Sequence, residues 1–171
     1  MSVTLWRSAL LLLLAATLLH GCGWHLRGSG DLALPIESTA IVGAGGEPLL
    51  RRDLRRALEE AHVLVMEEAA KAATTIELGE VKIQRRPVAI DRTGRVEEYE
   101  LSYRVTMALQ DAQGKVLLEE RPIEVIRTLS YDANLILAKE REQELLMREM
   151  RSDVVRAVLY RLRSLALKPT P

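Results

Sequence analysis

The chain has 171 residues, 48% apolar and 28% charged, with 24 basic and 24 acidic side chains and one cysteine. This is the composition of a globular protein rather than a disordered one, and its zero net charge excludes the overall positive field that generic nucleic-acid binding needs. A single cysteine cannot close an internal disulfide, so packing has to hold the fold.

Arg7 gives the N-terminus a positive start, and Ala9 to Leu19 then runs without a charge. A membrane-spanning helix takes about 20 apolar residues, so this run is short for a span and fits a signal-peptide core. Leu19-His20-Gly21-Cys22 resembles the bacterial lipoprotein signal, although His20 stands where a small residue is usual. The resemblance implies that residues 1–21 are cleaved as a signal peptide and that Cys22 carries lipid. More than one acyl chain is needed for stable anchoring, which such a modification supplies. Gly23 follows where an aspartate would, in many such lipoproteins, signal inner-membrane retention. Its presence implies the outer membrane, on the periplasmic side.

Residues 22–171 are expected to form a single domain of ordinary size. A first strand is predicted over Thr39 to Val42, ended by the turn Gly43-Ala44-Gly45-Gly46. Pro48 opens a helix, a position where proline is tolerated. Leu50, Leu54, Ala57, Leu58 and Ala61 make its apolar stripe, and Arg51, Arg52, Arg55 and Arg56 crowd the remainder. His62 to Met66 is a candidate brief strand, and Glu67 to Ala73 a loop or helical turn. Thr75 to Arg85 reads as a strand whose phase slips near Gly79, the mark of a bulge or twist. Val88 to Ile90 extends it on an edge.

Asp91-Arg92-Thr93-Gly94-Arg95 is a hairpin turn with Gly94 at a positive-φ position. The next strand carries the cleanest pattern: Tyr99, Leu101, Tyr103, Val105, Met107 and Leu109 alternate with polar neighbours, giving one buried and one solvated face. Asp111-Ala112-Gln113-Gly114 turns the chain again, and Lys115 to Leu129 returns antiparallel. Pro122 predicts an edge or a bulge there. Asp132 or Asn134 is expected to cap a final helix that reaches Leu167, with a core stripe of Leu146, Met150, Val154, Val158, Leu162 and Leu165. The predicted fold is α+β: a two-layer sandwich with two helices on one face of a mainly antiparallel four-stranded sheet, in the order strand-helix-strand-strand-strand-helix.

Nothing in this pattern points to catalysis. His20 leaves with the signal, His25 lies beside the anchor, and His62 has no histidine or cysteine at ligand spacing. There is no G-x-S-x-G elbow and no H-E-x-x-H motif. Glu97-Glu98 and Glu119-Glu120 are adjacent pairs that point to opposite faces of a strand, which is wrong for a paired acid–base site. No metal or other cofactor is expected.

Three stretches together resemble the LPS-assembly lipoprotein LptE family. They are Cys22-Gly23-Trp24-His25-Leu26-Arg27, the hairpin Arg92 to Tyr99, and Leu137 to Leu145 with Arg148-Glu149-Met150. The resemblance implies a non-catalytic periplasmic lipoprotein in complex with the β-barrel translocon LptD, sitting inside the barrel as plug and assembly partner. It also implies binding of lipopolysaccharide, with Arg92 and Lys139 at the matching basic positions and Arg95 and Arg141 nearby. A lipid-A phosphate is an anion, so basic groups placed together suit it. Read without the resemblance, Arg92 is a solvated turn residue and Lys139 a helix lysine paired with nearby acids. The alternative function is a stand-alone periplasmic lipid-binding lipoprotein, which would need a closed apolar pocket. A hydrolase is a further rival, disfavoured by the missing nucleophile and base.

Overall fold

The computed structural model describes residues 34–45, 47–132 and 135–166. The expected signal segment and Cys22 lie outside the described residues, as do Gly46, Asn134 and Leu167. The chain runs β1 (Ser38–Gly43), α1 (Pro48–Glu60), β2 (Leu64–Met66), a 3-10 turn (Ala69–Lys71), β3 (Thr74–Leu78), β4 (Lys82–Ile90), β5 (Val96–Asp111), β6 (Val116–Ser130) and α2 (Ile136–Arg163).

β5 is the centre of the sheet. Its alternation places Leu101, Tyr103, Val105, Met107 and Leu109 in the core, each at most 1% exposed. β6 pairs antiparallel along one edge of β5, from Glu98–Ser130 to Gln110–Val116. The other edge is divided: β4 pairs with Val96 to Arg104, and β3 with Met107 to Asp111. The division falls at the expected slip. The Gly79 amide donates to the Thr106 carbonyl at 3.0 Å, and a Cβ on Gly79 would lie 2.2 Å from Thr106 Oγ1. Only glycine allows that approach without displacing the threonine.

The sheet corrects the expected architecture. It has six strands rather than four and is mixed, because β1 pairs parallel with both β2 and β3. The reason is α1: a helix between β1 and β2 carries the chain back to the starting end, so the second strand must run parallel to the first. β2 has three residues, too few to display an alternation. The placement of both helices over one sheet face is as expected. Leu50, Leu54 and Leu58 of α1 and Met150, Val154, Val158 and Leu162 of α2 share one core with the inner row of β5. Each leucine so buried contributes about 2 kcal/mol.

Local chemistry explains the helix ends. Pro48 is in the first turn of α1, and His62 follows the helix with a left-handed backbone (φ 62°). The cap of α2 differs from expectation. Its N-cap is Leu135, with no side-chain cap, and the Leu135 amide donates to the Asp132 carbonyl at 3.0 Å. The helix ends at Arg163 and continues as a turn to Ala166. Pro122 stands opposite Thr106 on an edge strand, beside shifts in register, as its lack of an amide requires.

The two helices are joined by a charged contact. Arg151 of α2, 8% exposed, donates from Nε to Asp53 Oδ2 at 2.8 Å and lies 3.5 Å from Glu47. Burial alone would raise the Asp53 carboxyl, but hydrogen bonds from Arg151 and Arg52 outweigh it and hold the group below its ordinary value of 3.8. The buried Tyr103 hydroxyl has no hydrogen-bond partner among the described residues, and burial, with Glu47 adding, holds it protonated.

Two outcomes follow from these contacts. At Gly43 (φ +84°) an added Cβ would lie 1.8 Å from the Leu78 carbonyl oxygen, whereas at Gly94 (φ +83°) it would meet nothing within 4 Å. Gly43→Ala therefore destabilises by about 2 kcal/mol or more in urea unfolding, and Gly94→Ala by about 1 kcal/mol. Arg151→Ala costs about 2 kcal/mol, less than a fully buried pair because water reaches part of Asp53. Since the Asp53 pKa is depressed on folding, its contribution is complete above pH 3.8 and is lost as pH falls through the lowered value. Urea midpoints measured across that range should fall less steeply in Asp53→Asn than in the wild type.

Candidate functional site

The β4–β5 turn is built by one carboxylate. The Asp91 amide donates to the Arg95 carbonyl at 2.8 Å, and Asp91 Oδ1 accepts the amides of Thr93 at 2.7 Å and Arg95 at 2.9 Å. Gly94 supplies the positive φ. The β5–β6 turn repeats the device: Asp111 Oδ1 accepts the amides of Gln113 at 2.9 Å and Lys115 at 2.8 Å, with Gly114 at φ +80°. The Thr93 hydroxyl, followed by the Arg95 amide, holds the Asp91 carboxyl below its ordinary 3.8. With the backbone tied in this way, Arg92 and Arg95 point into solvent. Among the described residues their side chains make no hydrogen bond or ion pair.

The start of α2 lies at the same end of the sheet. β6 ends at Ser130, opposite Glu98, and the Tyr131 amide donates to the Glu97 carbonyl at 2.7 Å before the chain enters the helix. Lys139 has a largely covered side chain, 17% exposed, and donates to Glu142 at 2.8 Å. Arg141 is exposed and its side chain is unpaired among the described residues. Two residues apart on a helix, Lys139 and Arg141 face different directions.

Lys139 shares a cleft with Arg85, which the sequence did not mark as a site residue. Arg85 of β4 stacks its guanidinium 3.7 Å from the Tyr99 ring centre and 5.6 Å from that of Tyr131. The two rings meet edge to face, 5.3 Å apart at 85°. Arg85 also donates to Gln143 Oε1 at 3.1 Å. Arg85, Leu129, Tyr131, Lys139, Glu140 and Gln143 line a cleft of about 80 Å³. The structure thus brings Lys139 to Arg85, while Arg92 and Arg95 occupy the turn and Arg141 the open side of the helix. A signal existed: two of the chain's four tyrosines flank the hairpin and the helix start. Without the β4–β5 register nothing placed Arg85 between them.

A second hollow lies where β6 begins and α2 ends. This groove of about 710 Å³ is lined by Met107, Val116, Leu117, Leu118 and Ser164, with Glu119, Arg121 and Arg161 among them. Arg161 is committed there to the carbonyls of Arg121, at 2.9 Å, and Pro122, at 2.5 Å.

The LptE model, described as lipopolysaccharide-assembly, matches residues 31–162. The chain belongs to the LptE family. Among its relatives, the LPS-assembly lipoprotein LptE of Photorhabdus laumondii is 27% identical over 154 residues, covering 90% of this chain and 83% of that protein. The Yersinia pestis protein of the same name is 28% identical over 159 residues, covering 90% of this chain and 73% of its own length. A solution structure of an uncharacterized lipoprotein B from Nitrosomonas europaea superposes with a TM-score of 0.73 at 30% identity, covering 84% of this chain and 92% of that one. The rare lipoprotein B of Shewanella oneidensis gives 0.66 at 27% identity, covering 76% and 96%. This LptE-family chain therefore shares its mixed sheet and paired helices with solved lipoproteins across most of its length.

The turn geometry is testable by NMR. The amide shifts of Thr93 and Arg95 should titrate together with a midpoint below pH 3.8, because they report Asp91. In Asp91→Asn that titration disappears.

Proposed function

We propose that this LptE-family chain is a non-catalytic lipoprotein fastened through Cys22 to the periplasmic side of the outer membrane. There it pairs with the barrel translocon LptD, as plug and assembly partner, in moving lipopolysaccharide to the cell surface. The observation that carries the proposal is the outer face of the sheet. Gln84 and Arg86 of β4, Glu98, Glu100, Ser102 and Arg104 of β5, and Glu124 and Thr128 of β6, with Ile126 among them, form an exposed to half-buried, mostly polar surface without a covering layer among the described residues. A barrel lumen is polar, so a plug needs such a surface. The two carboxylate-tied turns and the turn after β1 are the proposed contacts with the barrel, with the arginine-rich face of α1 meeting lumen side chains. Lipopolysaccharide is proposed to be met at the hairpin and helix-start end, where Arg92, Lys139, Arg95 and Arg141 supply positive charge. The stand-alone lipid carrier is less well supported: the groove beside β6 is open, and Glu119, Arg121 and Arg161 interrupt its apolar lining.

Mild-detergent recovery of the tagged, lipidated chain from its own envelope tests this reading. One large β-barrel protein at equal stoichiometry is the expected result. Recovery of the chain alone would sink the plug role and leave the lipid-carrier reading in front.

A further inference from the structure

We infer that the free edge of β4 takes up an extended, acidic segment of a partner protein as an added strand of the sheet. This contact is separate from the turns and the α1 face proposed above to meet the barrel, and it does not depend on that reading.

The register decides which backbone groups are open. The Gly79 amide donates to the Thr106 carbonyl, so Thr106 and the other even-numbered residues of β5 turn their backbone groups away from β6. Lys82, Gln84 and Arg86 stand opposite Arg104, Ser102 and Glu100 and spend their N–H and C=O groups on β5. Ile83 and Arg85 therefore point both backbone groups outward, and Pro87 points its carbonyl outward. Among the described residues no hydrogen bond reaches these groups, and β4 has no strand on its far side.

The other long edge, β6, is closed by the protein's own side chains. The same alternation turns Pro122 and Ile126 outward there. Arg161 donates to the Pro122 carbonyl at 2.5 Å, and Arg127 donates to the Ile126 carbonyl at 2.9 Å. Pro122 has no amide to offer. β2, with three residues, offers little length. The edge of β4 is left open, on a strand that is exposed along most of its nine residues.

Charge and side-chain alternation set the partner. β4 carries Lys82, Arg85 and Arg86 and no acid. A second copy would bring the same cations against them, whereas an acidic strand is attracted. On the outer face Lys82 makes no ion pair among the described residues, and Arg86 is 69% exposed beside Glu100. On the inner face Ile83 is 45% exposed. A strand laid along this edge would set carboxylates beside Lys82 and Arg86 and an apolar side chain beside Ile83, so the fitting sequence alternates acidic and apolar residues.

The test adds a ten-residue peptide of alternating Glu and Val to the lipidated mature chain in mild detergent. At saturating peptide, amide hydrogen exchange read by NMR should slow about tenfold at Ile83 and Arg85 and stay unchanged at Glu124 and Thr128. N-methylation of the peptide amides that face β4 should weaken binding about tenfold, and a Lys–Val peptide should not bind. Lys82→Glu changes an exposed, unpaired side chain and should weaken binding about fivefold, an effect that shrinks at high salt. Ile83→Pro keeps the bonds to β5 and should remove the slowing at Arg85.

Slowed exchange on β6 in place of β4, or no slowing at millimolar peptide, would overturn the assignment. Equal binding of the N-methylated peptide would reject strand addition, and equal binding of the Lys–Val peptide would reject the acidic partner. Protection of Ile83 and Arg85 that grows with protein concentration in the absence of peptide would put a second copy of the chain in the partner's place.

Discussion

Burial of the inner row of β5 is the constraint on which the rest of the molecule depends. Leu101, Tyr103, Val105, Met107 and Leu109 are closed off by α1 and α2, while Ser102, Arg104 and Thr106 between them face the other way. Because strand side chains alternate with a period of two, a slip of one residue would drive Arg104 into the core and lift Val105 into water. The register of β5 is thereby pinned. With it are pinned β6 on one edge, β3 and β4 on the other, and the two turns that close the hairpins.

The same strand is longer than the core it serves. The fully buried core residues of α2 begin at Met150, with Leu146 and Met147 partly buried against the core, and the turns before them are largely exposed. At this end β4 is also exposed along most of its length. The contacts that hold the overhang together are polar and aromatic: Arg85 with Tyr99 and Gln143, Tyr131 with Glu97, and Lys139 with Glu142. An apolar core would have hidden these groups. Away from it, the Arg85 guanidinium lies beside rings that orient it. The outer sheet face is likewise mostly polar, as the proposed plug role would ask of a surface in a polar lumen.

Much of this was readable from residue types. Tyr99 to Leu109 announced a half-buried strand, Gly94 and Gly114 marked turns that need positive φ, and Gly79 marked a break. Pro48 and Pro122 stand where their missing amide is tolerated. Other features left no local trace. β2 pairs through three residues, and its parallel direction is imposed by the crossover of α1. Leu135 at the N-cap of α2 matches no capping preference, so residue type alone points to Asp132 or Asn134 instead. Among the basic residues, family resemblance points to Arg92 and Lys139, yet Arg85 is the cation that lines the same cleft as Lys139.

What the sequence by itself determined is therefore the set of faces: which side of β5 and of each helix is apolar, where the chain must turn, and where a lipid anchor is expected. These are properties of a single element, written in the spacing of its own residues. Strand number, the mixed pairing of the sheet and the meeting of Arg85 with Lys139 were decided only by the tertiary structure. Lys139 and Arg85 are 54 positions apart in the chain and sit on different elements. Their approach depends on the β4–β5 register and on where α2 crosses the sheet, and no local pattern encodes either.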